Sequence, residues 1–298
     1  MKFVNPNVEY WHEPTNWQQI ARVGRLCYKS QPKEPDANLT EEEKSAFREE
    51  NAHKLCSRFW ESGHKSMFRH GTEYFFFPDN TIPEVALALK DFGHSPYIAF
   101  VMKDNHVWAS TNMQFSIESG LGAELSPYIV DEEIFIAKAK EYKSNEALML
   151  LRMTLVVTTQ ISTSRELNRT SPNAIAEQST RYCNLEKKGG VQIAKPHWFV
   201  LGSRWQRFLY LAACKFASWA YLRLLKSGMK PQDARGVLPL DTYTVVAYTY
   251  NIKEWKHIID LRFYETTGKA HPNAKTVAFD MYDLIQERMS NVIPDFEI

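Results

Sequence analysis

The chain has 298 residues, a formal charge of +1 and a pI near 7.7. It is long enough for one large domain or two small ones, and it lacks the strongly basic footprint of a bulk nucleic-acid binder. Hydrophobic residues make up 44% and charged residues 24%, a balance that builds a packed core and argues against disorder.

The opening MKFVNPNVEYW lacks the apolar centre of a signal peptide. No apolar run reaches the length needed to cross a bilayer, so a soluble cytoplasmic protein without membrane contact is expected. Residues 15–29 place Ile20, Val23, Leu26 and Cys27 at helical spacing. Thr40 followed by Glu41–Glu43 predicts a capped helix, with carboxylates in the first turn where the dipole favours them. That helix is expected to run through Leu55, Phe59 and Trp60 and to stop at Gly63. TEYFFF (72–77) reads as a strand. The segment 95–110 suggests a hairpin turning near Asp104-Asn105, and 131–151 looks helical throughout.

Farther along, RMTLVVTTQISTS (152–164) is β-branched and predicts a strand. A long apolar helix is expected over 203–227 and another beginning near Pro231, a favoured first-turn residue. A last helical pair is expected at about 251–262 and 274–290. Without repeats or a linker, the economical reading is one α+β domain over 1–298 with an insertion at about 78–150.

Three segments concentrate chemistry. GHKSMFRH (63–70) crowds His64, Ser66, Arg69 and His70 between a helix stop and a strand. Taken singly, the histidines read as capping or surface residues, and no third metal ligand accompanies them. NRTSPNAIAEQSTRYCN (168–184) carries Arg169, Glu177, Gln178, Ser179, Thr180 and Arg181. Pro172 forbids an undisturbed helix there, so the stretch is either a surface loop or a binding segment whose arginines grip phosphate with two prongs. In 233–262, Asn251, Trp255, Ile258 and Arg262 share one helix face, and Arg235 precedes an apolar GVLPL. Arg262 reads equally well as a site residue or as a dipole-stabilising helix end. Four scattered cysteines form no CxxC pair, which fits reduced thiols better than zinc or disulfides. No glycine-rich phosphate loop is present.

Taken in order, these segments resemble the flavin-dependent thymidylate synthases, the ThyX family. SGHKSMFRHGTEYFF is similar to the family's GHxSxxEH segment and its strand; SRELNRTSPNAIAEQSTRYCN resembles the signature that ends in STRY; ARGVLPLDTYTVVAYTYNIKEWKHIIDLR resembles the downstream segment. The resemblance implies a central mixed or antiparallel sheet flanked by helices. It also implies methylation of dUMP at C5, with methylene-tetrahydrofolate as carbon donor and FAD reduced by NADPH, in a homotetramer with shared sites.

By position it implies that Glu166, Arg169, Glu177, Gln178, Ser179, Thr180, Arg181 and Arg235 hold dUMP, and that Arg262 activates the uracil ring. His64, Ser66, Arg169, Thr170, Ser171, Glu177, Asn251, Lys253 and His257 match flavin-contacting positions, and no metal is implied. The triplet reads Arg169-Thr170-Ser171 where the family has Arg-His-Arg, and Arg69 stands where it has glutamate. A flavin-dependent C5 hydroxymethylase and a non-catalytic nucleotide-binding homologue are the alternatives.

Overall fold

One strand, Arg152–Gln160, lies at the centre of the fold, and all of its residues are buried because other elements cover both faces. The computed structural model describes residues 1–79, 92–171, 173–187 and 189–298. In chain order the elements are β1 (Lys2–Val4), β2 (Asn7–Trp11), α1 (Asn16–Tyr28), α2 (Glu41–Glu61), β3 (Thr72–Phe77), β4 (Ile98–Lys103), β5 (His106–Asn112), α3 (Met113–Ser119), β6 (Ile129–Val130) and α4 (Glu132–Glu141). They continue with β7 (Arg152–Gln160), α5 (Ile161–Leu167), β8 (Ala174–Glu177), β9 (Gln192–Ala194), α6 (Arg204–Lys226), β10 (Tyr243–Asn251), α7 (Ile252–Arg262) and α8 (Pro272–Ser290).

Strands β2, β7, β10 and β8 form one antiparallel sheet in that order, and β4, β5, β3 and β6 form a second. A parallel pair, β1 with β9, completes an α+β architecture. On one face of the first sheet, Leu155, Val157, Tyr248 and Tyr250 pack with Trp255 and Ile259 of α7 and with Met281 and Ile285 of α8. On the other face, Val156, Ala176 and Ala247 pack against Val23 and Cys27 of α1. Each large apolar side chain removed from water contributes about 1.5–3 kcal/mol, so α1, α7 and α8 are held to the sheet chiefly by these contacts.

The sheets are joined at Arg152. Its guanidinium is buried and donates to the Thr72 hydroxyl (3.2 Å), the Arg69 carbonyl (3.0 Å) and the Thr249 carbonyl (3.2 Å). Its backbone N–H donates to the Tyr74 hydroxyl (2.9 Å). A buried cation needs such acceptors, because an unsatisfied one costs far more than a lost surface pair.

Several sequence expectations hold. Thr40 and Glu43 close a capping box on α2, and Asp104 and Asn105 take positive φ in the β4–β5 hairpin. Others need correction. The helix expected over 131–151 ends at Glu141: Lys143 adopts a left-handed conformation (φ 51°), and only the turn Asn145–Leu148 follows. The strand expected over 152–164 ends at Gln160, where α5 starts. Pro231 opens a single four-residue turn. Pro172 and residues 80–91 of the expected insertion lie outside the described residues; the rest of that insertion supplies β4–β6, α3 and α4.

Helix α6 overturns the expectation that no run is long and apolar enough to cross a membrane, since by length and composition it is. Its inner face packs Cys214 and Tyr221 against Leu185, Val191 and Ile193. Its outer face leaves Trp205, Phe208, Leu209, Phe216 and Trp219 exposed.

Where α1 crosses α2, a Cβ on Gly24 would collide with the Phe59 ring. Gly24→Ala gains about 1 kcal/mol of helix propensity but overpacks a buried contact at a cost of about 1–3 kcal/mol. The variant is expected to melt below the wild type by calorimetry, and a higher melting temperature would refute the close approach.

Candidate functional site

The signature segment leaves β7 through α5 and returns through β8. Alternation along β8 turns Glu177 to the α5 side of the sheet, where its carboxylate accepts from the Ser164 hydroxyl (2.9 Å) and the Thr244 hydroxyl (2.8 Å). Gln178 turns to the opposite, α1 side and is buried. The Ser179 amide donates to the Cys27 carbonyl (2.9 Å), and the Ser179 hydroxyl accepts from the backbone N–H groups of Arg181 and Tyr182 (3.2 Å each). This tight turn presents Thr180 and Arg181 outward. Arg235 Nη1 donates to the Thr180 hydroxyl (2.7 Å), while Arg181 Nε reaches Gln232 Oε1 (3.4 Å). A groove of about 360 Å³ beside them is lined by Arg165, Thr180, Arg235 and apolar Leu238 and Leu240. The sequence reading missed Arg165 and Gln232; the adjacency of Arg165 to Glu166 was the available signal.

Arg262, at the last turn of α7, is more than a dipole-stabilising helix end. Its Nη1 lies 3.4 Å from Glu166 Oε1, and its Nη2 donates to the Glu166 carbonyl (3.0 Å). Its Nε is buried and has no partner among the described residues. At the other end of α7, Asn251 and Glu254 form a capping box. Glu254 Oε1 also accepts from the Ser171 hydroxyl (2.9 Å) and from Asn173 Nδ2. The Thr170 hydroxyl donates to the Leu167 carbonyl (2.6 Å). Of the altered triplet, therefore, only Arg169 is exposed and without a hydrogen bond or ion pair among the described residues, while both hydroxyls serve the local fold.

The 63–70 segment meets the signature through aromatic rings. Tyr28 lies 6.2 Å from the His64 ring and 5.9 Å from the Tyr182 ring. His64 Nδ1 shares a 3.0 Å hydrogen bond with the Ser62 hydroxyl. Arg69 Nε donates to Gln114 Oε1 (2.8 Å), and its guanidinium sits 4.7 Å from the Tyr97 ring centre. Ser66, Lys253 and His257 are exposed, and no side-chain hydrogen bond ties them to the other site residues. Among the described residues, no group of three or more metal-ligating side chains converges.

All four cysteines are buried. Burial first, and the neighbouring Cys183 next, push the Cys27 thiol up to about 12. Cys183 directs its thiol at the Cys27 carbonyl (3.7 Å). These are settings for inert thiols, since a reactive one needs an accessible, thiolate-favouring environment.

The geometry thus links three distant segments: Tyr28 between His64 and Tyr182, Glu254 between Ser171 and Asn251, and Glu166 beneath Arg262. Residues 103–290 match the thymidylate synthase complementing protein family. The chain belongs to that family. The match contains the signature and the 233–262 segment and excludes 63–70. Two crystal structures of a UMP/dUMP methylase, PolB from Streptomyces cacaoi, are similar to this chain. The one bound with 5-Br UMP has 24% identity and a TM-score of 0.40, covering 53% of this chain and 78% of its own. The one bound with 5-Br dUMP has 22% identity and a TM-score of 0.41, covering 60% and 84%. A comparison with curated proteins gives no match.

Beside the site, His70 is buried, and its Nδ1 shares a 2.7 Å hydrogen bond with the Thr249 hydroxyl. Burial, then the Arg152 and Arg69 charges, push its imidazole down to about 3. A depressed folded-state pKa means that the unfolded chain takes up the proton first, so this contribution is intact above about pH 6.5 and is lost as pH falls toward 3. In denaturant titrations, wild type is expected to lose up to about 1.4 kcal/mol per pH unit more than His70→Gln across that window. Parallel pH profiles would refute a buried neutral imidazole.

Proposed function

We propose that the chain is a flavin-dependent thymidylate synthase, methylating dUMP at C5. The family match across 103–290 carries the reading, because it includes Arg262, the signature segment and Arg235. In the reaction the C5 hydrogen of dUMP is replaced by a methyl group. Its carbon comes from methylene-tetrahydrofolate, which leaves as tetrahydrofolate, and NADPH ends as NADP⁺. FAD, when bound, relays the reducing equivalents.

Arg165 and Arg235 line a groove suited to the dUMP phosphate, with the Thr180 hydroxyl as a further donor and Arg181 on the adjoining turn. Glu166 positions Arg262, whose guanidinium supplies a fixed positive charge for an anionic ring edge. A fixed cation beside charge that develops on the uracil ring in a water-poor site lowers the barrier. Exposed Arg169 and Lys253, unpaired among the described residues, suit the diphosphate of FAD, with His64, Ser66 and His257 as further contacts. Glu177, held by two hydroxyls, orients the signature turn.

The active form is a homotetramer with composite sites. Arg165 faces the phosphate groove while Glu166 holds Arg262, so consecutive residues of α5 point about 100° apart. The reading that one nucleotide takes groups from two chains rests on the family resemblance. The exposed stripe Trp205, Leu209, Ala212, Phe216 and Trp219 on α6 recurs at heptad spacing, which suits pairing with a second copy. Light scattering is expected to give a tetramer, and Phe216→Glu with Trp219→Glu a smaller species that still folds; a wild-type monomer at micromolar concentration overturns the composite site.

No cysteine attacks the ring. Cys183→Ala is expected to keep most activity, whereas Arg262→Ala loses roughly a hundredfold or more, the scale of removing one preorganised charge-stabilising donor. The reverse pattern refutes the mechanism. A non-catalytic nucleotide-binding homologue is the second reading, favoured by the internal hydrogen bonds of Thr170 and Ser171. A flavin absorption band in the purified protein separates the two.

A further inference from the structure

A second pocket, of about 500 Å³, opens on the α1 side of the first sheet, across β8 from Glu177. The end of α1, residues 30–34, Arg48 of α2 and the Tyr243 end of β10 form its walls. Its charged groups are Arg22, Arg25, Lys29, Lys33 and Arg48 against Glu13 and Glu34. Glu13 is taken by Arg22 (2.5 Å), which also stacks 3.9 Å over Trp11. Arg25, Lys33 and Arg48 share the pocket with one exposed carboxylate, Glu34.

Two features distinguish this pocket from a solvated basic surface. Arg25 is partly buried, yet its guanidinium makes no hydrogen bond or ion pair among the described residues. Burial depresses its pKa, so the site holds a cation at a cost that an anion would relieve. Gln178 is only 6% exposed and lines the pocket, and its amide has no hydrogen-bond partner among the described residues. A buried amide normally finds partners. Here its N–H₂ and C=O face a cavity that also presents the Tyr243 ring, with Lys29 Nζ 5.8 Å from the ring centre.

We propose that this pocket binds a phosphate-bearing molecule with a flat heterocycle. Arg25 and Arg48 grip the phosphate, which suits the planar fork of guanidinium. Lys33 adds charge at the rim. Tyr243 supplies an aromatic wall for the ring, and the Gln178 amide offers a donor and an acceptor to a polar ring edge. The volume falls within the range of small-molecule sites. Because Gln178 lies between Glu177 and Ser179, an occupant also braces the signature turn from behind. The ligand is a nucleotide other than the dUMP substrate, and separate titrations of ADP and dUMP distinguish the two sites.

Calorimetry on the full chain with ADP, inorganic pyrophosphate and dUMP provides the test. ADP is expected to bind wild type more tightly than pyrophosphate does, and Arg25→Gln with Arg48→Gln is expected to weaken it on the order of tenfold or more. In the same variant dUMP affinity stays within about twofold. Both arginines line the pocket, and an unchanged melting temperature verifies the fold. The proposal is overturned if ADP fails to bind wild type at about 5 mM, binds no better than pyrophosphate, or binds wild type and variant alike. It is also overturned if dUMP affinity falls as steeply as that of ADP, which would make the pocket part of the dUMP site. Absence of dUMP binding in wild type, with ADP binding lost in the variant, would instead refute only the synthase reading.

Discussion

The structure depends on a buried positive charge. Arg152 stands where β7, β3, the Lys65–His70 turn and β10 meet, and oxygen atoms from the last three of these elements accept its N–H groups. No carboxylate among the described residues lies within ion-pair distance of it. The guanidinium is satisfied by dipoles rather than by a counter-ion, which fixes direction more strictly, because each acceptor must present a lone pair at a set angle. Removing these partners would strand a buried cation, at a cost of about 3–5 kcal/mol. The second sheet is therefore registered on the first by hydrogen bonds as well as by apolar contact. The 63–70 segment is anchored to the same group, which is how a turn far upstream in sequence lies beside the signature.

Local rules made much of this fold legible. The Thr40–Glu43 capping box, the Asp104-Asn105 turn and the aromatic run 72–77 state their conformations within a few residues. The errors came where the local signal was missing. Lys143 ends a helical stretch in the left-handed conformation that glycine usually marks. Gln160 starts α5 without a side-chain cap, after a β-branched run that continues in composition past the strand. At Gln160 tertiary packing decides, since β7 stops where its pairing with β10 ends.

The candidate site divides in the same way. Its residues were named by resemblance, but their partners could not be, because Glu166 and Arg262 are 96 residues apart and Ser171 and Glu254 are 83 apart. The departures from the family triplet acquire a physical meaning only in three dimensions. Ser171 and Thr170 stabilise the turn and the start of α7, leaving Arg169 as the exposed cation of the three. Gln178 is the opposite case: strand alternation turns it away from the face that its neighbours occupy.

Helix α6 has a consequence for how the chain matures. Trp205, Phe208, Phe216 and Trp219 stand in water on a single folded copy. Such a surface associates with whatever apolar partner arrives first, so correct pairing competes with aggregation at a rate set by protein concentration. Where the face is covered only by association, folding and assembly share one equilibrium, and thermal resistance rises with the amount of protein present. A newly made chain at low abundance would then be the most vulnerable form of the molecule, even though its internal packing is complete.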